Sequence, residues 1–452
     1  MVQRGCRIAT VNTPFFVQSA SNANVYLRAP ELEVVAKPAL WQEYRVHSKV
    51  FVRGNFPLTL LQVPFQWDMD PASDPTWKLY FHSLYFLGTV YHGLTTEDHA
   101  PEFFQAQVDR LREMVLSYFD FLEQPQTADS PDVWDDHAAS YRSSYLSLVY
   151  ASFLEPLLDA VERDRYLRVM QMHAEKIIAF MDSGKWLLSN HTIFQIEGLL
   201  DIALNFFRET LIGESYINKA RRTFLEHVDA SVTLKDGTSK EHACFYHVFW
   251  MERVRNHYDF LNANGIEIDM DMVGLLKKMN RFLWLVMPRK GLVPPIGDTK
   301  YNMFVNEKYY RAFMEDPYLD DETAFLIGQS QERGNLQYLT DFRRDGYFVF
   351  RDLDENDTGL LSIFLAKDKV GPHGHIDGGS FVTFLGGTPF FTDSGGPFKY
   401  RNPLRYHYFQ TQLAHNTLIF SHPCKYQNTV GQILQGPGFG IVVTELSDLR
   451  KK

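Results

Sequence analysis

The chain has 452 residues, 45% hydrophobic and 22% charged, which excludes wholesale disorder and, at ~100–200 residues per domain, calls for two or three domains. Its 45 Lys+Arg against 55 Asp+Glu leave a formal charge of −10, which excludes a nucleic-acid binder that works by bulk charge.

The opening MVQRGCRIATVNTPFF has a basic start but no apolar core. A cleavable export signal is therefore not expected, and the chain reads as cytoplasmic as written. Up to about Leu60 the sequence is irregular, with short β-like pieces such as NVYLRAP and SKVFVRG. From about Trp77 to Gly328, apolar residues recur at three- and four-residue intervals in runs such as WKLYFHSLYFLGTVYHGL and MVGLLKKMNRFLWLVM. That spacing predicts helices, which short polar breaks join into antiparallel hairpins. Beyond about Leu336 the period becomes two, in GYFVFRD, TGLLSIFLAKD, SFVTFLGGTPFF and FGIVVTEL, and strands are predicted. Helices followed by strands read as two domains, 1–335 helical with an N-terminal extension and 336–452 antiparallel β, not as an α/β fold. The β block is short for a complete sandwich. No apolar run nears the ~18 residues that cross a bilayer. Cys6, Cys244 and Cys424 are too scattered for a disulfide framework or a CxxC knuckle.

Aromatic residues reach 15%. Ring faces that stack on pyranoses and a large aromatic core both account for this, and composition alone favours the core. Three places concentrate polar residues in a way that packing would not choose. In SNHTIFQIEGLL, Ser189 or Thr192 can cap a helix, which puts Asn190 and His191 at a positive helix end suited to a carboxylate; plain capping is the competing reading. In DGTSKEHACFYHVFW, Ser239 can cap the next helix, so that His242 and Tyr246, four apart, share a face. A tyrosine that moves protons needs cationic neighbours, whereas a core tyrosine needs only a satisfied hydroxyl. In GPHGHIDGGSFVTFLGGTPFFTDSGG and LAHNTLIF, His375, Asp393 and His415 lie at predicted strand ends. Two imidazoles and a carboxylate converging there suit Zn²⁺, with His373 beside them; a loop with chance histidines is the alternative.

HGHIDGGSF, FFTDSGG, YFQTQLAHNT, the PPIGD turn, SNHTIFQIEGLL, SKEHACFYH and, in the first helical region, VWDDHAASYR together resemble the heparinase II/III-like polysaccharide lyases, whose members include heparin, heparan-sulfate and alginate lyases. The resemblance runs from about Trp67 to the end. It implies an incomplete (α/α) toroid followed by an antiparallel β-sandwich, here in a short form. By resemblance Asn190 and His191 match the pair that neutralises a uronate carboxylate. Tyr246 matches the general acid and His373 the first histidine of the HGH motif at the catalytic centre, and Tyr246, His191 and His373 are the alternatives for the base, depending on the epimer. His375, Asp393 and His415 match the ligands of a structural zinc. Tyr408 sits where members often have a substrate-contacting tyrosine. His242 and Arg405, the latter one of several basic residues that include Arg255, are assigned with it to substrate binding. The chain departs at Ile376, where many members have a smaller residue; that position reads as structural.

The implied function is β-elimination on a uronic-acid-containing polysaccharide, a glycosaminoglycan or alginate, with zinc and no organic cofactor. The implied partner is an anionic polysaccharide, with no nucleic acid and no membrane insertion. Relatives of this family are usually exported, which leaves the compartment open. A glycoside hydrolase would need two carboxylates across a cleft; Glu197, Glu241 and Asp298 are present but no motif pairs them. A non-catalytic glycan-binding protein with a zinc-stapled β domain is the third reading.

Overall fold

Helix starts follow local capping chemistry. In α2 (Pro75–His82), Asp74 accepts from the N–H groups of Thr76 and Trp77, with Pro75 in the first turn. Asp135 does the same for α5 (Asp136–Val149) through His137 and Ala138, Asp159 and Glu162 form a capping box on α6 (Ala160–Asp182), and Ser189 accepts from His191 on α7 (Asn190–Phe206). Each such cap satisfies N–H groups that the helix itself leaves without partners. The computed structural model describes residues 37–53, 56–185, 187, 189–288, 291–301, 303–305, 314–352, 359–366, 373–397, 402–417, 426–436 and 439–448, with the backbone of 17–18 and 24–25.

The helices are α1 (Pro38–His47), α2 (Pro75–His82), α3 (Leu87–Thr96), α4 (Pro101–Leu122), α5 (Asp136–Val149), α6 (Ala160–Asp182), α7 (Asn190–Phe206), α8 (Leu211–Ser231), α9 (Cys244–Ala263), α10 (Met272–Val286) and α11 (Asp321–Leu326). Two-residue ladders pair β1 (Val17–Gln18) with β2 (Asn24–Val25), β3 (Lys49–Val50) with β4 (Thr59–Leu60), and β5 (Val232–Thr233) with β6 (Thr238–Ser239). The last of these interrupts the helical block, which the helical periodicity did not anticipate. Among the described residues no helix is long and apolar enough to cross a membrane.

The chain forms two compact units, Met1–His227 with Asp259–Glu267, and Val228–Tyr258 with Ile268–Lys452. This division cuts through α8 and α9, so it is a different boundary from the change of secondary structure near residue 335. In the first unit α5 is buried along almost its whole length. Its small residues admit α7 closely: a Cβ on Gly198 would lie 2.9 Å from the Ser140 backbone. Arg142, fully buried, donates to His173 Nε2 at 2.7 Å and to the carbonyls of His82 (2.6 Å) and Val133 (3.0 Å). It ties α5 to α2 and α6 with no carboxylate among these partners, a structural use of a guanidinium.

In the second unit β7 (Leu339–Phe342), β8 (Tyr347–Arg351), β9 (Leu360–Leu365), β10 (Phe381–Leu385) and β11 (Thr388–Phe391) form an antiparallel sheet in the order β11-β10-β9-β8-β7. Buried and half-buried residues alternate along β9, as a strand with one covered face requires. That buried face, Leu361, Ile363 and Leu365 in register with Arg351, Val349 and Tyr347, looks onto α10, where the Phe282 ring lies 5.3 Å from that of Tyr347. The hairpin β12 (Tyr426–Gly436) and β13 (Phe439–Asp448) lies on the other face, its Val430, Ile433 and Val442 packing on Leu339, Phe348 and Ala366 beside Phe364. The result is a short two-layer β domain. Arg351 on β8 caps α10, donating to the carbonyls of Trp284 (2.5 Å), Leu285 (3.2 Å) and Met287 (3.0 Å) and so satisfying groups at a helix C-terminus.

Candidate functional site

In the second unit the PPIGD turn brings the chemistry together. Gly297 has φ 61°, and a Cβ there would meet the carbonyl oxygens of His242 and His373 at 2.5 and 2.6 Å. Only glycine fits, on both counts. The turn presents Asp298, whose N–H donates to the His373 carbonyl at 2.8 Å. Its carboxylate is almost fully buried and faces three donors: His373 Nδ1 (2.9 Å) and Arg405 Nη2 (2.7 Å) on Oδ2, and His375 Nε2 (3.1 Å) on Oδ1. Burial pushes this carboxyl up, but the hydrogen bonds from His373, His375 and Arg405 outweigh it and hold it well below the usual carboxylate range.

Glu241 approaches the other nitrogen of His373, with Oε2 3.2 Å from Nε2, while its Oε1 accepts from Trp250 Nε1 at 2.9 Å. Burial raises the Glu241 carboxyl, against the pull of His373 and Trp250. His373 is thus clamped at both ring nitrogens. Its face lies on Tyr246, with ring centroids 3.6 Å apart and planes at 10°. Tyr246 sits in the first turn of α9. A phenol and an imidazole held face to face bring two proton-bearing groups to one place.

His242 does not share a helix face with Tyr246. Helix α9 begins at Cys244, and His242 precedes it with φ 58°, buried, its ring 6.5 Å from that of Tyr347. The imidazole beside Tyr246 is that of His373 instead. Arg405, in the π-helical turn Arg405–Phe409, is engaged by Asp298 and lies 5.3 Å from the ring centroid of Tyr406. Tyr408, in the same turn, is exposed. Ile376 is 46% exposed, its N–H bound to the Gln410 carbonyl of the segment after that turn, so it is not a core residue. Arg255 pairs with buried Asp316 at 2.7 Å.

His375, Asp393 and His415 are neighbours. His415 Nδ1 lies 2.7 Å from Asp393 Oδ2, and the two imidazole centroids are 5.3 Å apart. They are not yet a converged ligand set: among the described residues no three His, Cys, Asp or Glu side chains are arranged to hold a metal. His375 Nε2 faces Asp298, and His415 follows a short 3₁₀ turn (Gln412–Ala414) instead of opening a strand. Among the described residues the buried His375 Nδ1 and His415 Nε2 have no hydrogen-bond partner, as nitrogens that serve a cation would.

In the first unit Ser189 caps α7, as one of the two expected candidates, and places His191 in its first turn. The Asn190 side chain lies outside the described residues. His191 Nδ1 meets both carboxylate oxygens of Asp136, at 2.9 and 3.1 Å, and its ring stacks on His137 at 3.9 Å. The roles of Asp136 and Asp298 were not read from the sequence, and Glu241 and Asp298 entered only as unpaired hydrolase candidates. The available signals were slight: a second acid in VWDDHAAS and a Gly-Asp after two prolines.

The family model for the heparinase II/III N-terminus matches residues 13–321, and that for the heparinase II/III-like C-terminal domain matches 335–427. No curated relative matches the chain. Among solved structures, a heparan sulfate lyase from Pedobacter heparinus is 16% identical with TM-score 0.67, over 97% of this chain and 66% of that one. A heparinase III gene product with methylated lysines is 16% identical with TM-score 0.71, over 92% and 66%; another heparinase III is 17% identical with TM-score 0.64, over 89% and 65%. The chain thus spans about two thirds of the length of these structures. Their likeness shows the fold, a helical toroid followed by an antiparallel β domain, in the order that the periodicity predicts. The match of the N-terminal model over most of the sequence shows that the chain belongs to the heparinase II/III family.

Proposed function

We propose that the chain is a polysaccharide lyase that cleaves a uronic-acid-containing polysaccharide by β-elimination. The observation that carries this reading is the face-to-face pair of Tyr246 and His373, clamped by Asp298 and Glu241. Its similarity to proteins named heparan sulfate lyase and heparinase III supports the same class. The proton at C5 of a uronate is alpha to a carboxylate whose charge opposes its removal. Donors from Asn190 and the histidines would stabilise the enolate-like dianion, an effect worth several kcal/mol. The C5–H bond breaks toward a base, the electron pair forms the C4–C5 double bond, and O4 leaves with a proton from the Tyr246 hydroxyl. Tyr408, His242 and Arg405 complete the residues assigned to the substrate; Arg405 acts through Asp298 in the resting arrangement.

A zinc ion, the metal that the family resemblance implies, fits the donor chemistry of His375, Asp393 and His415, where two buried imidazole nitrogens have no partner among the described residues. When bound it would supply structural anchorage of the HGH segment.

A panel of alginate, heparan sulfate, chondroitin sulfate, hyaluronan and glucuronan tests the reading. At least one should yield a product that absorbs in the near ultraviolet through its new double bond. New reducing ends without that absorbance would mean hydrolysis, and binding without cleavage would mean a lectin-like role.

A further inference from the structure

We propose that Asp136 is a positioning residue that fixes His191 with its proton on Nδ1, so that Nε2 carries the lone pair. Asp136 is not needed to cap α5. The preceding Asp135 does that, its carboxylate accepting from the N–H groups of His137 (2.9 Å) and Ala138 (3.2 Å). The Asp136 side chain, 6% exposed, instead meets His191 Nδ1 with both oxygens, at 2.9 and 3.1 Å. Gln195, one helical turn beyond His191 on α7, donates its Nε2 to Asp136 Oδ2 at 2.9 Å. Residues four apart on a helix share a face, so α7 aims both groups at one buried carboxylate. The His191 ring is held in plane as well as in register, stacked at 3.9 Å and 24° on His137.

A carboxylate only accepts, so the nitrogen that faces it must carry a proton. In a neutral imidazole the other nitrogen is then the acceptor. Asp136 remains ionised: burial pushes its carboxyl up, but the hydrogen bonds from His191 and Gln195 help to bring it below the ordinary value. Asp135, its carboxyl raised by burial and by Asp136, is the other acid beside it. The His191 side chain keeps 24% exposure, so the ring is both anchored and accessible. A buried acid that orients an exposed imidazole is the arrangement by which a histidine is prepared to accept a proton. Under the β-elimination reading, on which this consequence rests, the proton accepted by Nε2 is the one from C5.

Two measurements on the full chain test the assignment. Two-bond ¹H–¹⁵N spectra of protein labelled with ¹⁵N-histidine, with His191→Gln to identify the resonance, should show His191 protonated at Nδ1 and not at Nε2. This arm needs no activity and no change at Asp136. In Asp136→Asn the amide donates to Nδ1, so the proton should move to Nε2. On a polysaccharide that the wild type cleaves, kcat should fall by about 10²–10⁴-fold with KM within about threefold, and Asp136→Glu should recover part of the rate. A wild-type His191 protonated at Nε2 would overturn the proposal. So would Asp136→Asn with unchanged kcat, or with the loss confined to KM. If no polysaccharide is cleaved by the wild type, the lyase reading fails, while the spectra still decide the tautomer.

Discussion

The imidazole of His373 lies face to face with the phenol of Tyr246, ring centroids 3.6 Å apart and planes at 10°. The two residues are far apart in sequence, on the first turn of α9 and on the HGH segment. The stack gives a direct expectation for Tyr246→Phe. This change keeps the ring and its contact with His373 but removes the only proton-transferring atom. Elimination should fall by about 10²–10⁴-fold while the variant still binds substrate. Product release measured by ultraviolet absorbance, beside a binding titration, checks it; near-normal turnover in a folded variant would remove Tyr246 from the chemistry.

Asp298 is the common partner of His373, His375 and Arg405. Asp298→Ala leaves three buried or half-buried donors without their acceptor. Breaking a buried ionic cluster on one side costs about 3–5 kcal/mol. Urea unfolding should show a loss of that order, and Asp298→Asn, which keeps one acceptor oxygen, a smaller loss. Equal midpoints for the wild type and Asp298→Ala would mean that this hub contributes nothing to stability.

Burial pushes several histidines well down, among them His82 to about 3, with help from Arg142, and His227 and His247 to about 4. All three are neutral in the folded chain at neutral pH. The unfolded chain binds protons at the ordinary value near 6.5, whereas the folded chain does not until far lower pH. Stability should therefore be complete above about pH 6.5 and fall as pH drops towards 4, by about 1.4 kcal/mol per pH unit for each histidine. Thermal midpoints from pH 7 to 4.5 measure the effect. Replacing His247 by a neutral residue should flatten the slope, and a flat profile in the wild type would contradict the burial argument.

Metal analysis of the purified protein should find about one zinc per chain, in keeping with a site built from two histidines and one carboxylate. His415→Ala should abolish it and lower the thermal midpoint, and chelation of the wild type should do the same. A metal-free wild type of unchanged stability would leave the two partnerless imidazole nitrogens unexplained by zinc.

The order of helices and then strands was legible in the sequence because hydrophobic period is a local property: a helix or a half-covered strand writes its own repeat. The cap at Ser189 was equally local, as was the clustering of polar residues around His191, Tyr246 and His373. The pairings of carboxylates with histidines were not legible. Asp298 meets His373 and His375 across more than seventy residues, and Asp136 meets His191 across fifty-five. No period or spacing encodes contacts between such distant segments. His242 shows the same limit on a smaller scale. Its four-residue spacing from Tyr246 suggested one helical face, but with its left-handed backbone and the close approach of the PPIGD turn the helix starts only two residues later, at Cys244. Sequence pattern determined which elements form. Only tertiary packing, which buries an acid and must then satisfy it, decided which histidine each carboxylate holds.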